Sequence, residues 1–87
     1  MIDPALIEEA MLRLVAERGL DKTVDPSDVA RRVAGDGPDQ WGRIMQPLRR
    51  IAVRLAKEGR LVIYRKGKPA DPDDFKGIYR LGAARQD

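Results

Sequence analysis

The stretch from Gln46 to Arg65, QPLRRIAVRLAKEGRLVIYR, decides the fold because a helical pattern runs directly into a strand pattern within it. Its first half repeats apolar residues at intervals of three and four, which places them on one face of a helix: Leu48, Ile51, Ala52 and Leu55. Gly59 supplies a helix stop, and Leu61–Tyr64 is a β-branched and aromatic run of strand length. We therefore expect a long helix with one core face, followed by a strand.

Positive charge is concentrated in and around this stretch. Four basic residues recur at helical spacings of seven, four and three and share a second face: Arg43, Arg50, Arg54 and Lys57. Arg49 belongs to the same candidate set, and a further basic cluster follows the strand: Arg65, Lys66 and Lys68. The net charge is −4 over residues 1–42, +8 over residues 43–68 and −1 over residues 69–87. A surface this basic attracts phosphates or acidic protein even when the whole chain carries only +3.

The composition excludes several classes of protein. The 87 residues suffice for one domain with a single core, and the lack of cysteine and histidine excludes disulfides, thiolate chemistry and the usual zinc sites. The N-terminus is acidic where a secretory signal is basic, and no stretch reaches membrane-spanning length. We expect one cytoplasmic domain over residues 1–87, with a core at about 3–82 and a polar tail at 83–87, no cofactor and no membrane contact.

The remaining chain predicts two more helices and two more strands. Asp3–Pro4 and Asp25–Pro26 each join a capping residue to a proline at the first helical position. Lys22–Val24 predicts a short strand that pairs with a later one, and Ile78–Leu81 predicts a returning strand. The connection after Arg65 is too long for a tight hairpin, so we expect an extended loop there.

Pro47 complicates the third helix, which Asp39 is expected to cap. A proline inside a helix removes one backbone hydrogen bond and clashes with the preceding turn, at a cost of about 3 kcal/mol. Two arrangements are open: a short helix over Asp39–Met45 with a new helix starting at Pro47, or one kinked helix. The apolar periodicity continues across Pro47, which favours the kink.

The order of elements indicates an α+β fold of the winged-helix type. Helix, short strand, two helices, strand, long loop and strand follow one another, so the second and third helices would form a helix-turn-helix and the last strands an antiparallel wing. The apolar stripes predict a core of Trp41, Ile44, Leu48, Ile51 and Leu55 with Leu14 and Leu61. Trp41 is alternatively a base-stacking platform, but its spacing from Ile44 and Met45 favours the core.

Four motifs resemble a small bacterial family of unknown function, DUF3253. They are KTVDPSDVAR (Lys22–Arg31), WGRIMQP (Trp41–Pro47), RLAKEGRLVIYRKGKPADPDDFKG (Arg54–Gly77) and YRLG (Tyr79–Gly82). The similarity covers roughly residues 5–82. This resemblance implies a winged-helix-like fold and a bacterial origin, and it implies no activity, ligand or catalytic residue.

Catalysis and metal binding have little support in the sequence. The only local carboxylate cluster is Asp71, Asp73 and Asp74, which lacks the ligand spacing of a calcium loop and is typical of turn chemistry. Lys66–Pro69 lacks the spacing and the following helix of a phosphate-binding loop. We expect a protein that is not an enzyme and holds no metal.

The basic residues favour nucleic-acid binding, with duplex DNA as the first partner. The candidate contacts are Arg43, Arg49, Arg50, Arg54, Lys57, Arg65, Lys66 and Lys68, the last three at the wing base. Acidic residues at the expected wing tip, and the absence of asparagine for reading adenine, predict weak sequence specificity. The alternative is a protein-interaction module, for instance a homodimer formed through the first helix, because fold alone does not decide function.

Overall fold

Helices and short antiparallel strands alternate along the chain, and the fold is α+β. The computed structural model describes residues 2–84, apart from the side chain of Pro38. Its elements are α1 (Pro4–Arg18), β1 (Thr23–Val24), α2 (Pro26–Ala34), α3 (Pro38–Trp41), a 3₁₀ turn (Gly42–Ile44), α4 (Met45–Lys57), β2 (Leu61–Arg65), β3 (Lys68–Pro69) and β4 (Arg80–Ala83). The strands form one antiparallel sheet in the order β1-β4-β2-β3, an arrangement compatible with a winged-helix-like fold.

The two predicted helix starts are confirmed. The Asp3 carboxylate accepts a hydrogen bond from the Ala5 amide at 2.9 Å, and the Asp25 carboxylate accepts one from the Ser27 amide at 2.9 Å. Each cap satisfies an amide that has no partner inside the helix, a contribution of roughly 1 kcal/mol. Local sequence therefore sets where α1 and α2 begin.

The predicted short strand, β1, is also confirmed, and it pairs with the last described strand of the chain. Thr23 and Val24 pair with Gly82 and Leu81 of β4. The expected returning strand begins later than predicted, at Arg80 instead of Ile78, and it extends to Ala83, which was expected in the polar tail. Residues 85–87 of the expected tail lie outside the described residues.

Gly82 is required where it stands because the Tyr64 ring lies against it. A Cβ at Gly82 would sit only 2.6 Å from Tyr64 Cε2, closer than any real contact. The aromatic ring on β2 thus occupies the space that a side chain on β4 would need.

A tight hairpin follows β2, contrary to the expectation of an extended loop alone. Arg65 faces Lys68 across a two-residue turn formed by Lys66 and Gly67. Both turn residues have positive φ, 53° and 80°, as a type I′ turn requires. The basic cluster at 65–68 is therefore at the tip of the β2–β3 hairpin, and not at a wing base.

The segment around Pro47 is divided, which corrects the expectation of one kinked helix. α3 ends at Trp41, a 3₁₀ turn spans Gly42–Ile44, and α4 begins at Met45. Pro47 is thus the third residue of a new helix, where the first backbone amides have no helical partner to lose. Because the 3₁₀ turn interrupts the helix before Pro47, the proline does not incur the cost of a position inside a helix.

The predicted core is confirmed for most of its members. Ile44, Leu48, Ile51, Leu55 and Leu61 are buried, whereas Leu14 and Trp41 are only half-buried and pack against its edge. The loop between β3 and β4 adds two residues to the core that the apolar stripes did not predict, Phe75 and Tyr79. Their rings meet edge to face with centroids 5.2 Å apart.

Leu55 tests this core, because its side chain is fully buried on α4. Leu55→Ala removes apolar burial and leaves a cavity, so we expect a loss of about 2–5 kcal/mol in the free energy of unfolding. Urea denaturation measures this loss, with Leu6→Ala on the exposed side of α1 as the matched control. Equal stability of Leu55→Ala and the unmodified protein would refute the core assignment.

Candidate nucleic-acid interface

The structure divides the eight predicted contact residues into three groups according to what each side chain binds. Two are held in ion pairs, two hold backbone carbonyls, and four are exposed with no hydrogen bond or ion pair to the rest of residues 2–84. The last group comprises Arg43, Arg50, Lys66 and Lys68. Members of different groups lie side by side, since Arg50 and Arg54 line the same cleft, whereas Lys66 lies in a separate cleft at the β2–β3 turn.

The ion-paired residues lie in the C-terminal half of α4. Arg54 binds Glu8 of α1 and also Glu58, the latter at 3.1 Å, while Lys57 Nζ lies 2.9 Å from Asp73 Oδ1. The hydrogen bond from Arg54 holds the pKa of Glu8 below its ordinary value, and the carboxylates of Glu8 and Glu58 raise the pKa of Arg54. A phosphate approaching these two cations would have to compete with carboxylates already in place.

The backbone-binding arginines fix the loop between β3 and β4. Arg49 is half-buried, donates a hydrogen bond from Nη2 to the Phe75 carbonyl at 2.7 Å and places its guanidinium 3.9 Å from the centroid of the Phe75 ring. Arg65 donates to the carbonyl of Ile78. Both side chains bind carbonyl groups of the loop, so in this structure they hold the loop in position.

The loop over residues 70–79 runs along α4 in the opposite direction to the helix. Asp73 contacts Lys57 near the helix C-terminus, Phe75 contacts Arg49, and Gly77–Tyr79 share a cleft of about 390 Å³ with Met45 at the helix N-terminus. The twelve residue steps from Met45 to Lys57 correspond to about 18 Å of helix. The loop thus places the Asp73 carboxylate at one end of α4 and residues 77–79 at the other.

This course corrects the expectation that acidic residues occupy the wing tip. The hairpin tip is Lys66–Gly67, and Asp73 lies beside the end of α4. The Asp71 carboxylate accepts a hydrogen bond from the Asp73 amide at 2.9 Å, which is turn chemistry. The hairpin tip is therefore basic.

The hairpin tip and the N-terminus of α4 face the same end of the molecule. Ile78 is a wall of the cleft that contains Met45 and also of a second cleft, of about 300 Å³, that contains Lys66 and Gly67. Gln46 is exposed at the start of α4, and Lys76 is exposed in the loop nearby. Neither Lys76 nor Ile78 was predicted at this end of the molecule, because the neighbours of a loop residue depend on contacts that are distant in sequence.

One family matches the chain over nearly all of its elements. The model of a family described as a protein of unknown function, DUF3253, matches residues 4–84, from the first residue of α1 to just beyond β4. The chain belongs to the DUF3253 family. The resemblance drawn from the four motifs is thereby confirmed. A comparison with curated proteins gave no match.

Two further properties of this DUF3253 chain bear on its surface. Among residues 2–84, no group of three acidic side chains is arranged to hold a metal ion. No helix in the same range is both long enough and apolar enough to cross a membrane. Cytoplasmic location stays a prediction.

Arg49 and Arg50 are adjacent in sequence but should respond differently to substitution. Arg49→Ala removes a charged hydrogen bond and an aromatic contact that hold the loop, so we expect a loss of about 1–3 kcal/mol in unfolding free energy. Arg50→Ala, on the exposed face, should change stability by no more than about 0.5 kcal/mol. Thermal denaturation measures the stability of both variants. An equal loss of stability in the two would show that Arg49 does not hold the loop in place.

The Glu8–Arg54 pair should make stability depend on pH in the acid range. Because the pKa of Glu8 is lower in the folded protein, its stabilising contribution is present above the ordinary glutamate value of about 4.3 and is lost as the pH falls through the folded value. Glu8→Gln should therefore be less stable than the unmodified protein at pH 7 and equal to it at pH 2–3.

Urea denaturation across this pH range measures the effect. In an Arg54→Ala background most of the difference at pH 7 should disappear, because the principal partner of Glu8 is absent. A difference that persists unchanged in that background would show that Arg54 is not its cause.

Proposed function

We propose that this protein binds duplex nucleic acid, with DNA as the first candidate, through the N-terminal half of α4 and the tip of the β2–β3 hairpin. The observation that supports the proposal is the sorting of charge along α4 and the 3₁₀ turn that precedes it. Arg54 and Lys57 are paired with carboxylates, whereas Arg43 and Arg50 are exposed and free of such pairs in the described part of the chain. Lys66 and Lys68 extend the free positive charge onto the hairpin.

Free and paired cations differ in what they contribute to phosphate binding. A lysine or arginine that meets a phosphate releases condensed counterions, and this release supplies most of the affinity for nucleic acid of any sequence. A paired cation must first give up its carboxylate, so its net contribution is smaller. The four unpaired residues are thus the principal phosphate contacts of the proposal.

The proposed docking follows helix-turn-helix proteins of the winged type. α2 and α4, with α3 and the 3₁₀ turn between them, would form the helix-turn-helix, and the N-terminal residues of α4 would face base edges in the major groove. Gln46 is exposed there, and glutamine can bond adenine through two hydrogen bonds. With one amide in this position, we expect binding that depends strongly on salt and weakly on sequence. The proposal assigns no enzymatic activity.

A salt series with random duplex DNA tests the proposal. Arg43→Ala with Arg50→Ala should weaken binding almost uniformly across sequences and flatten the plot of log affinity against log salt by about two. The matched control, Arg54→Ala with Lys57→Ala, removes the same charge from the paired half and should flatten the plot by clearly less than one.

Equal flattening by the two double variants would extend the interface over the whole helix face. Absence of salt-sensitive binding by the unmodified protein at micromolar concentration, to duplex and to single strands, would overturn the proposal.

A protein-interaction role is the second candidate, supported by a groove between α1 and α2. The groove, of about 420 Å³, has apolar walls at Leu6, Ala10 and Val33 and alternating charges along its rim. Glu9 pairs with Arg13, and Glu17 with Arg32, so opposite charges alternate as in a self-complementary surface. This role becomes the leading one if the salt series shows no binding.

A further inference from the structure

We propose that Ile78 is an apolar wedge that enters the minor groove of a bound duplex and unstacks a base step. The inference rests on the proposed function and names the manner of binding at the same end of the molecule. Ile78 is 84% exposed, whereas Leu6 and Leu20, the other large hydrophobic residues described as exposed, are 55% and 57% exposed. A side chain this apolar and this exposed gains free energy from any partner that covers it.

The position of Ile78 is fixed by its neighbours on both sides. Tyr79 is buried, with its ring against Phe75, and the Ile78 carbonyl accepts a hydrogen bond from Arg65. Gly77, with φ of 81°, provides the left-handed conformation that precedes it. Isoleucine is itself stiff because it branches at Cβ. The loop is therefore anchored on either side of an isoleucine that it presents to solvent.

The charges around Ile78 are predominantly positive. Arg65, Lys66 and Arg80 line the cleft on one side of it, and Lys76 is exposed two residues earlier. Asp25 lines the cleft on the other side, but its carboxylate already caps α2 by accepting from the amide and the hydroxyl of Ser27. Asp73 lies at the far end of α4, where it pairs with Lys57. Ile78 thus protrudes from a basic rim.

This combination suits a duplex better than a protein or a membrane. Proteins that bend DNA from the minor groove insert isoleucine, leucine or phenylalanine between base pairs while arginine and lysine hold the flanking phosphates. Ile78 supplies the apolar group, and Lys66 and Lys76 supply cations close to it. The unstacking that the wedge requires is least costly at flexible pyrimidine–purine steps.

The test uses the full chain and a mixed-sequence duplex of about 25 base pairs that contains TA and CA steps and carries a fluorophore pair at its ends. Energy transfer should report a bend of about 20–90° when the unmodified protein binds. Ile78→Ala should lose the bend while it keeps the salt slope, because no charge has changed. Ile78→Met should retain most of the bend, and Leu6→Ala, which removes an exposed leucine from α1, should retain all of it.

The outcomes separate the wedge from the proposed function. Salt-sensitive binding without any bend, or a bend that survives Ile78→Ala, overturns the wedge and leaves the proposed function standing. Absence of salt-sensitive binding overturns both. Loss of the bend in Ile78→Ala with an unchanged salt slope and an unchanged melting temperature supports the wedge, since neither misfolding nor lost phosphate contacts would then explain the result.

Discussion

The arrangement of charge on this molecule depends on the contact between Arg49 and the loop that follows the hairpin. The Arg49 guanidinium bonds the Phe75 carbonyl and lies over the Phe75 ring, so one side chain supplies both polar and aromatic contact. With Phe75 and Tyr79 buried, the loop is held along α4. Asp73 then meets Lys57 at the C-terminal end of the helix, and the exposed Ile78 lies towards the N-terminal end. A loop released from α4 would carry its carboxylates elsewhere.

Adjacent positions on α4 serve opposite purposes because successive residues of a helix point about 100° apart. Arg49 turns toward the loop and is half-buried, while Arg50 turns to solvent. Leu48 and Ile51 on either side face the core. Residues 48–51 thus contact three different environments: the core, the loop and the solvent. The arginines of this stretch therefore differ in role. Arg49 holds the loop, and Arg50 is exposed and open to a phosphate.

The sequence was sufficient wherever a feature depends on residues close together in the chain. The caps at Asp3 and Asp25, the apolar stripe of α4 and the strand that follows it were all predicted correctly for this reason. The errors concern contacts between distant residues. Phe75 and Tyr79 were not predicted as core residues because the Arg49 side chain that contacts them is far away in sequence. For the same reason the pairing of Arg54 with Glu8 could not be read from spacing.

The β2–β3 hairpin is a different case, because its signal was local and was misread. Lys66–Gly67 forms a turn with two positive φ values, and a glycine at the second position is typical of such turns. The sequence was sufficient to name the basic residues of the candidate site. Their division into free, paired and loop-holding side chains required the folded chain.

The outer strands of the sheet have a consequence for how this protein behaves at high concentration. β1 and β3, the first and last strands in the sheet order, are each two residues long, and β3 ends in Pro69, which has no amide hydrogen to donate. A foreign strand that approached either side would find too few free backbone groups to continue the ladder, which is how natural sheets resist aggregation. The short edges therefore protect the native state against fibrillar growth.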